Sequence, residues 1–260
     1  AGGGTSGLQS QLEPVQRVRI VLFFDGTNNN KFNARAGLKN MGDSFNNDES
    51  NIARMSEGLS ISSEYHGKKY TDVLRIYIEG IGTTSVEDKT TKQPKISDDS
   101  KIGAGLGNNG TGILAKVERG FSEVLSYLSA RPGIRFEYIH FDTFGFSRGA
   151  AAARNAIHRI LKGRILTAGG GTIFLPSIKE KMTQTGFNIS ELKFRFSGLY
   201  DTVASHGLIH VDDTNELNLR SVTSVDQVVQ LSSADEHRKN FRLTNIASAA
   251  GGNSFELFLP

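Results

Sequence analysis

Cysteine and tryptophan are absent from this 260-residue sequence, proline occurs only 5 times, and no long apolar run exists. The missing cysteines exclude a disulfide scaffold, a thiolate zinc site, an iron–sulfur cluster and a thiol nucleophile. The longest strongly apolar run, Ile20 to Phe24, falls far short of the roughly 20 residues that a membrane-spanning helix needs. The opening AGGGTSGLQSQLEP has neither a basic start nor an apolar stretch, so no secretory signal is read there. Excess charge is scarce too: 30 Lys and Arg against 27 Asp and Glu leave +3. That balance suits an anionic surface such as phospholipid and is too small for a nucleic-acid footprint.

What is present reads as alternating strands and helices. Residues 1–17 are expected to be a flexible leader, and 18–260 one catalytic domain. Val18 to Phe24 is a strand buried on both faces, because it is near-continuously apolar and rich in β-branched and aromatic residues. It stops at Asp25-Gly26-Thr27-Asn28, a dense turn signal. Lys31 to Glu49 reads as a long loop, and Ser50 caps a short helix reaching Gly58. Asp72 to Glu79 is a second strand, followed by a long polar insertion, Gly80 to Gly112, whose acidic-basic stretch from Glu87 to Lys101 reads equally as a lid or as a disordered segment. Ile113 to Ala130 has helical apolar spacing. Ile134 to Phe144 is a third strand, Arg148 to Leu161 a helix, Leu192 to Leu199 a fourth strand, Asp226 to Lys239 a helix, and Phe255 to Leu259 a last strand. Such alternation predicts an α/β fold with a mostly parallel sheet and helices on both faces.

One motif carries chemistry. Gly145-Phe146-Ser147-Arg148-Gly149 is a G-x-S-x-G with a buried strand before it and an Ala-rich helix after it. Those letters alone also suit a turn whose serine caps a helix. The strand–turn–helix context is that of a nucleophile elbow, in which small flanking residues allow the sharp turn and the serine projects above the strand end. Ser147 is therefore the expected nucleophile. In such folds the acid follows the serine in chain order, on a loop after a strand. Asp201, in Gly198-Leu199-Tyr200-Asp201-Thr202, has that position, whereas Asp212, Asp213, Asp226 and Asp235 lack it. The oxyanion hole is expected to use the backbone N–H of Arg148, with Gly26 and Thr27 after the first strand.

The base is harder to place. It should follow a late strand, and Phe255 to Leu259 is that strand, so the imidazole is expected just after Pro260. His206 and His210 lie on the acid's own loop, His237 in a solvated helix, His140 in the strand before the elbow, and His66 and His158 have no supporting context.

FFDGTNNN (Phe23 to Asn30), ESNIARM, YIEGIGT, GAGLGNNGTGI, FGFSRGAAAAR (Phe144 to Arg154), GLYDTV (Gly198 to Val203) and ADEHRKNF occur in this order. Together they resemble the type VI secretion lipase effectors of the Tle-one-like group. The resemblance covers nearly everything from Val18 onward. It implies an α/β-hydrolase-like fold, phospholipase activity through a Ser-His-Asp triad, and synthesis in the bacterial cytoplasm before secretion into rival cells. It also implies a secretion spike protein and an immunity protein as partners. The nucleophile is carried onto Ser147 and the acid onto Asp201, and the family's strand resembling FELFLP is followed by a loop whose His looks like the base.

Rivals of other classes fit less well. An aspartyl-phosphate phosphatase needs an aspartate where Phe23 stands, and GAGLGNNGTG lacks the Gly-Lys-Ser/Thr of a phosphate-cradling loop. His206, His210, Asp212 and Asp213 do not form a recognised metal motif, and neither metal nor cofactor is expected. A catalytically silent binding module, or a split subunit of such a hydrolase, is the remaining alternative.

Overall fold

In the computed structural model, residues 15–38, 41–87, 94–96, 99, 112–131, 134–168, 171–204, 217–235, 243–249 and 253–260 are described. Six strands form one sheet: β1 (Val15–Phe24), β2 (Asp72–Ile78), β3 (Arg135–Phe146), β4 (Ile189–Tyr200), β5 (Val225–Ser233) and β6 (Ser254–Leu259). Their spatial order is β6-β5-β4-β3-β1-β2, and every neighbouring pair is parallel. The helices are α1 (Lys31–Ala36), α2 (Asp43–Asn46), α3 (Asn51–Gly58), α4 (Ile113–Ser129), α5 (Arg148–Lys162) and α6 (Ile178–Gln184). This is the α/β-hydrolase-like arrangement expected from the sequence.

Topology decides which helix covers which face. The chain steps from β1 outward to β2, then crosses back to β3 and continues to β4. Right-handed crossovers then place α3 on one face, and α4 and α5 on the other. Side chains agree with this. Ile20, Leu22 and Phe24 share a buried cluster with Val117, Phe121 and Ile157 of α4 and α5, whereas Val21 and Phe23 pack with Ile52 and Met55 of α3. The run Ala150 to Ala153 is fully buried, so small side chains let α5 lie close to the sheet. The reversal of direction puts a topological switch point at the carboxyl ends of β1 and β3, where open α/β sheets bind ligands.

The α3 face is apolar only at that end. Toward the strands' amino ends it holds a buried polar layer. Asp142 of β3 accepts from Arg19 of β1 (2.8 and 2.6 Å) and from Arg195 of β4 (3.0 and 2.6 Å). Next to it His140 is bonded at both ring nitrogens, by Tyr70 Oη at 2.8 Å and Glu191 Oε1 at 2.6 Å.

Several expectations are corrected. Lys31 to Glu49 is not all loop: Asn30 caps α1 by accepting from Phe32 and Asn33 N–H, and α2 follows. Asp226 onward is strand through Ser233, not helix. Its inward positions include Gln230, fully buried because Thr202 Oγ1 donates to it (2.6 Å) and it donates to Glu256 (2.7 Å), so the apolar alternation is broken. Arg164–Ala168 and Gly171–Leu175 pair as an antiparallel hairpin that the sequence reading does not contain. Ser50 does cap α3, its Oγ accepting from Ala53 N–H at 3.0 Å. Among the described residues no helix is long and apolar enough to cross a membrane.

Candidate active site

β3 ends at Phe146 and α5 begins at Arg148, so the whole turn is the single residue Ser147. Its backbone is held at φ 56 and ψ −125, a conformation that costs a non-glycine residue energy and persists only when its surroundings enforce it. The two flanking glycines make it possible. A β-carbon on Gly145 would stand 2.6 Å from Ala150 Cα and Gly149 O; one on Gly149 would stand 2.2 Å from Asp25 O and 2.5 Å from Phe24 O. These are backbone atoms with little room to retreat. Gly149→Ala is therefore expected to cost about 3 kcal/mol or more, at the upper end of overpacking effects. Urea unfolding checks this, and a loss below about 0.5 kcal/mol would contradict the close packing of elbow on β1.

The loop after β1 meets this elbow directly. Arg148 Nε donates to Thr27 Oγ1 at 2.8 Å. Gly26 N–H already donates to Asp25 Oδ1 at 2.8 Å, whereas Thr27 N–H makes no hydrogen bond among the described residues. Of the two loop donors expected from the sequence, Thr27 is thus the one left available to a ligand oxygen, beside the first-turn N–H of Arg148.

Sequence reasoning missed what fixes this loop. Asp25 is buried and accepts from Gly26 N–H, Ser50 Oγ (2.6 Å) and Tyr77 Oη (2.7 Å). Burial pushes its pKa up, against three hydrogen bonds that favour the carboxylate. Tyr77 stays a donor, since burial and the nearby Asp25 charge raise its own pKa well above the ordinary range. The loop is braced from the other side by the segment after β2: Asn28 N–H donates to Ile81 O and Gly80 N–H to Asn29 O. That segment is itself tied to α4, where Lys116 Nζ reaches Glu79 Oε1 at 2.7 Å and Thr83 O at 2.6 Å, and Arg119 also pairs with Glu79. Tyr77→Phe removes a buried donor from Asp25 and an acceptor from Lys31 N–H. The expected loss is about 1–3 kcal/mol of stability. An unchanged denaturation midpoint would show that Tyr77 does not hold the loop.

Asp201 follows β4 and is drawn to the elbow by two backbone bonds that bracket it. Ser147 N–H donates to Tyr200 O at 2.8 Å, and Val203 N–H donates to Ser147 O at 3.3 Å. Asp201 lies at φ 47, and its Oδ1 accepts from Ser233 N–H at 2.6 Å. The Oδ2 atom has no partner among the described residues. Asp201, Tyr200 and Phe146 line a cleft of about 420 Å³, shared with Asn29, Ser50 and Arg54. A second cavity, around His158, Asn218 and Arg220, lies at the far end of α5.

The described imidazoles lie elsewhere. His140 precedes Ser147 by seven residues of extended strand, roughly 23 Å, and both its nitrogens are occupied. His158 is about three helical turns along α5, its pKa lowered by burial. His66 sits edge-on against Tyr65 in a hairpin turn. His206, His210, His237, Asp212 and Asp213 lie outside the described residues. Asp226 pairs with Lys193 at the start of β5, and Asp235 follows β5.

Solved structures offer a comparison for this arrangement. One, described as the Tle1 effector bound to the VgrG spike from the Type 6 secretion system, is 25% identical, with a TM-score of 0.54. The match covers 95% of this chain and 50% of that one, so this chain spans about half its length. An uncharacterized protein from Pseudomonas aeruginosa is 19% identical over 94% of this chain and 41% of its own, with a TM-score of 0.48. No curated protein sequence matches. The model of the family described as "T6SS, Phospholipase effector Tle1-like, catalytic domain" matches residues 18–174, more than half of the chain, from β1 through the elbow and α5. The chain belongs to that family of Tle1-like phospholipase effector catalytic domains of the type VI secretion system.

Proposed function

We propose that this chain forms the catalytic part of a serine hydrolase that cleaves acyl esters of membrane phospholipids. The observation that carries the reading is the strained Ser147 at the switch point of the sheet, its neighbour Arg148 bonded to Thr27 and its own backbone bonded to the residues on either side of Asp201. Ser147 Oγ attacks the acyl carbonyl while an imidazole takes its proton. The N–H groups of Arg148 and Thr27 receive the negative charge that develops on the carbonyl oxygen. Asp201 keeps Oδ1 on Ser233 N–H and offers Oδ2 to the imidazole, holding its tautomer and stabilising the imidazolium. Collapse of the tetrahedral adduct expels the lysophospholipid, protonated by the imidazolium, and water then releases the fatty acid. The base is assigned to an imidazole outside the described residues, because His66, His140 and His158 lie away from the elbow.

By the same reading the protein is an antibacterial toxin. It would be delivered by the type VI system on a spike protein, as the Tle1 effector is bound to the VgrG spike, and neutralised in its producer by an immunity protein. The chemistry is tested by incubating the natural full-length protein with phospholipid vesicles and identifying the products. Free fatty acid and lysophospholipid in equal amounts are expected. Diacylglycerol with a released phosphorylated headgroup would assign a different bond, and intact vesicles would favour a silent binding module.

A further inference from the structure

Four arginines are buried among the described residues: Arg148, Arg154, Arg159 and Arg195. Three have their charge answered by the protein. Arg195 lies on Asp142, Arg159 on Glu118, and Arg154 donates to the carbonyls of Leu219, Thr244 and Asn245. Arg148, only 6% exposed, differs. Among the described residues its side chain makes one hydrogen bond, from Nε to the neutral Thr27 hydroxyl, and no carboxylate reaches it. A guanidinium taken out of water without a counter-charge is costly, and the protein keeps this one beside its nucleophile. Burial lowers its pKa, and no neighbouring carboxylate offsets that. Arg54, exposed on the wall of the adjoining cleft, is also without an ion pair among the described residues; it shares that wall with Asp201 and with Glu49, whose charge Arg35 answers.

On the reading that Ser147 cleaves phospholipid acyl esters, we propose that the Arg148 guanidinium is the receptor for the substrate's phosphodiester. Its Nη groups form a planar fork suited to two phosphate oxygens. The phosphate is the one anionic group common to every phospholipid headgroup, and glycerol holds it a few bonds from the acyl carbon under attack. A fatty-acid carboxylate exists only after cleavage, so it cannot select the substrate. Arg148 then has two separate contributions: its backbone N–H faces the oxyanion, and its side chain discriminates phospholipid from neutral lipid.

The test compares dihexanoyl phosphatidylglycerol with dihexanoylglycerol, which has the same acyl esters without the phosphate, in the natural full-length protein and in Arg148→Gln. Both substrates are expected to lose rate, but kcat/KM on the phospholipid should fall about 10- to 100-fold further, mainly through KM. Arg148→Lys should recover part of that difference, because it restores charge without the fork. Inorganic phosphate should inhibit diacylglycerol hydrolysis competitively in the natural protein and not in Arg148→Gln. Phosphate inhibition without phospholipid preference would assign the site to free phosphate and overturn the headgroup reading. Equal losses on both substrates would reduce Arg148 to a brace for Thr27. If neither ester is cut, the hydrolase reading fails. Calorimetric titration with inorganic phosphate then decides the receptor by itself: binding lost in Arg148→Gln upholds an anion site, and no binding to the natural protein refutes it.

Discussion

Replacing Ser147 by alanine in the natural full-length protein is expected to lower phospholipid hydrolysis by about ten thousand- to a million-fold, the range spanned by removing single members of a catalytic triad. The fold should survive. Ser147 Oγ makes no hydrogen bond to any described residue, and the turn is held through its backbone, by Tyr200 O and by the N–H groups of Ala150 and Val203. Alanine tolerates φ 56 no better than serine, so the strain is unchanged and stability should move by less than about 0.5 kcal/mol. Release of fatty acid at a near-normal rate would remove Ser147 from the chemistry. A large loss of stability together with activity would mean that its hydroxyl is structural.

Asp201→Asn tests a different part of the same machinery. The amide keeps the size of the carboxylate and can still accept from Ser233 N–H. It offers N–H where the imidazole needs an acceptor, so the wrong tautomer is favoured. The expected loss in kcat is about ten thousand-fold, with KM changed little. Since Oδ1 alone of the two oxygens has a partner among the described residues and the backbone on either side of Asp201 is pinned to Ser147, folding should be nearly unaffected. Retained activity in Asp201→Asn, with collapse on changing Asp212 or Asp213 instead, would transfer the acid to one of those two residues.

The turn that carries Ser147 is more legible in the sequence than its support, because the two arise at different ranges along the chain. A strand buried on both faces reads as an unbroken apolar run, so Ile20 to Phe24 announced β1, and the Gly-flanked serine between strand and Ala-rich helix announced the elbow. Those are local signals. Asp25, Ser50 and Tyr77 come from three elements, separated by 25 and 52 positions from the aspartate, and nothing in their immediate neighbours marks them as partners. The polar layer of Arg19, Asp142 and Arg195 is equally non-local. β5 departs from the helix expected there for a related reason. Val228, Val229 and Leu231 fit a helical face as well as a strand, and the pairing with β4 that decides between them, together with the bonds that bury Gln230, comes from distant residues. The hairpin Arg164–Leu175 escaped because Ile165, Ile173 and Phe174 are exposed, so apolar residues there do not report an interior. The sequence pattern assigns Arg148 a role through its backbone alone. That its side chain is buried without a counter-ion became visible only once the neighbouring elements were in place.

Reaction with a fluorophosphonate tests the central claim most directly, because phosphonylation needs a serine that is both activated and supplied with an oxyanion hole. The natural full-length protein should gain one phosphonyl adduct, mapped by peptide mass spectrometry to Ser147. Labelling should disappear in Ser147→Ala and slow markedly in Asp201→Asn. An adduct on any other residue, or efficient ester hydrolysis by protein that never becomes labelled, would contradict an activated Ser147 at this elbow.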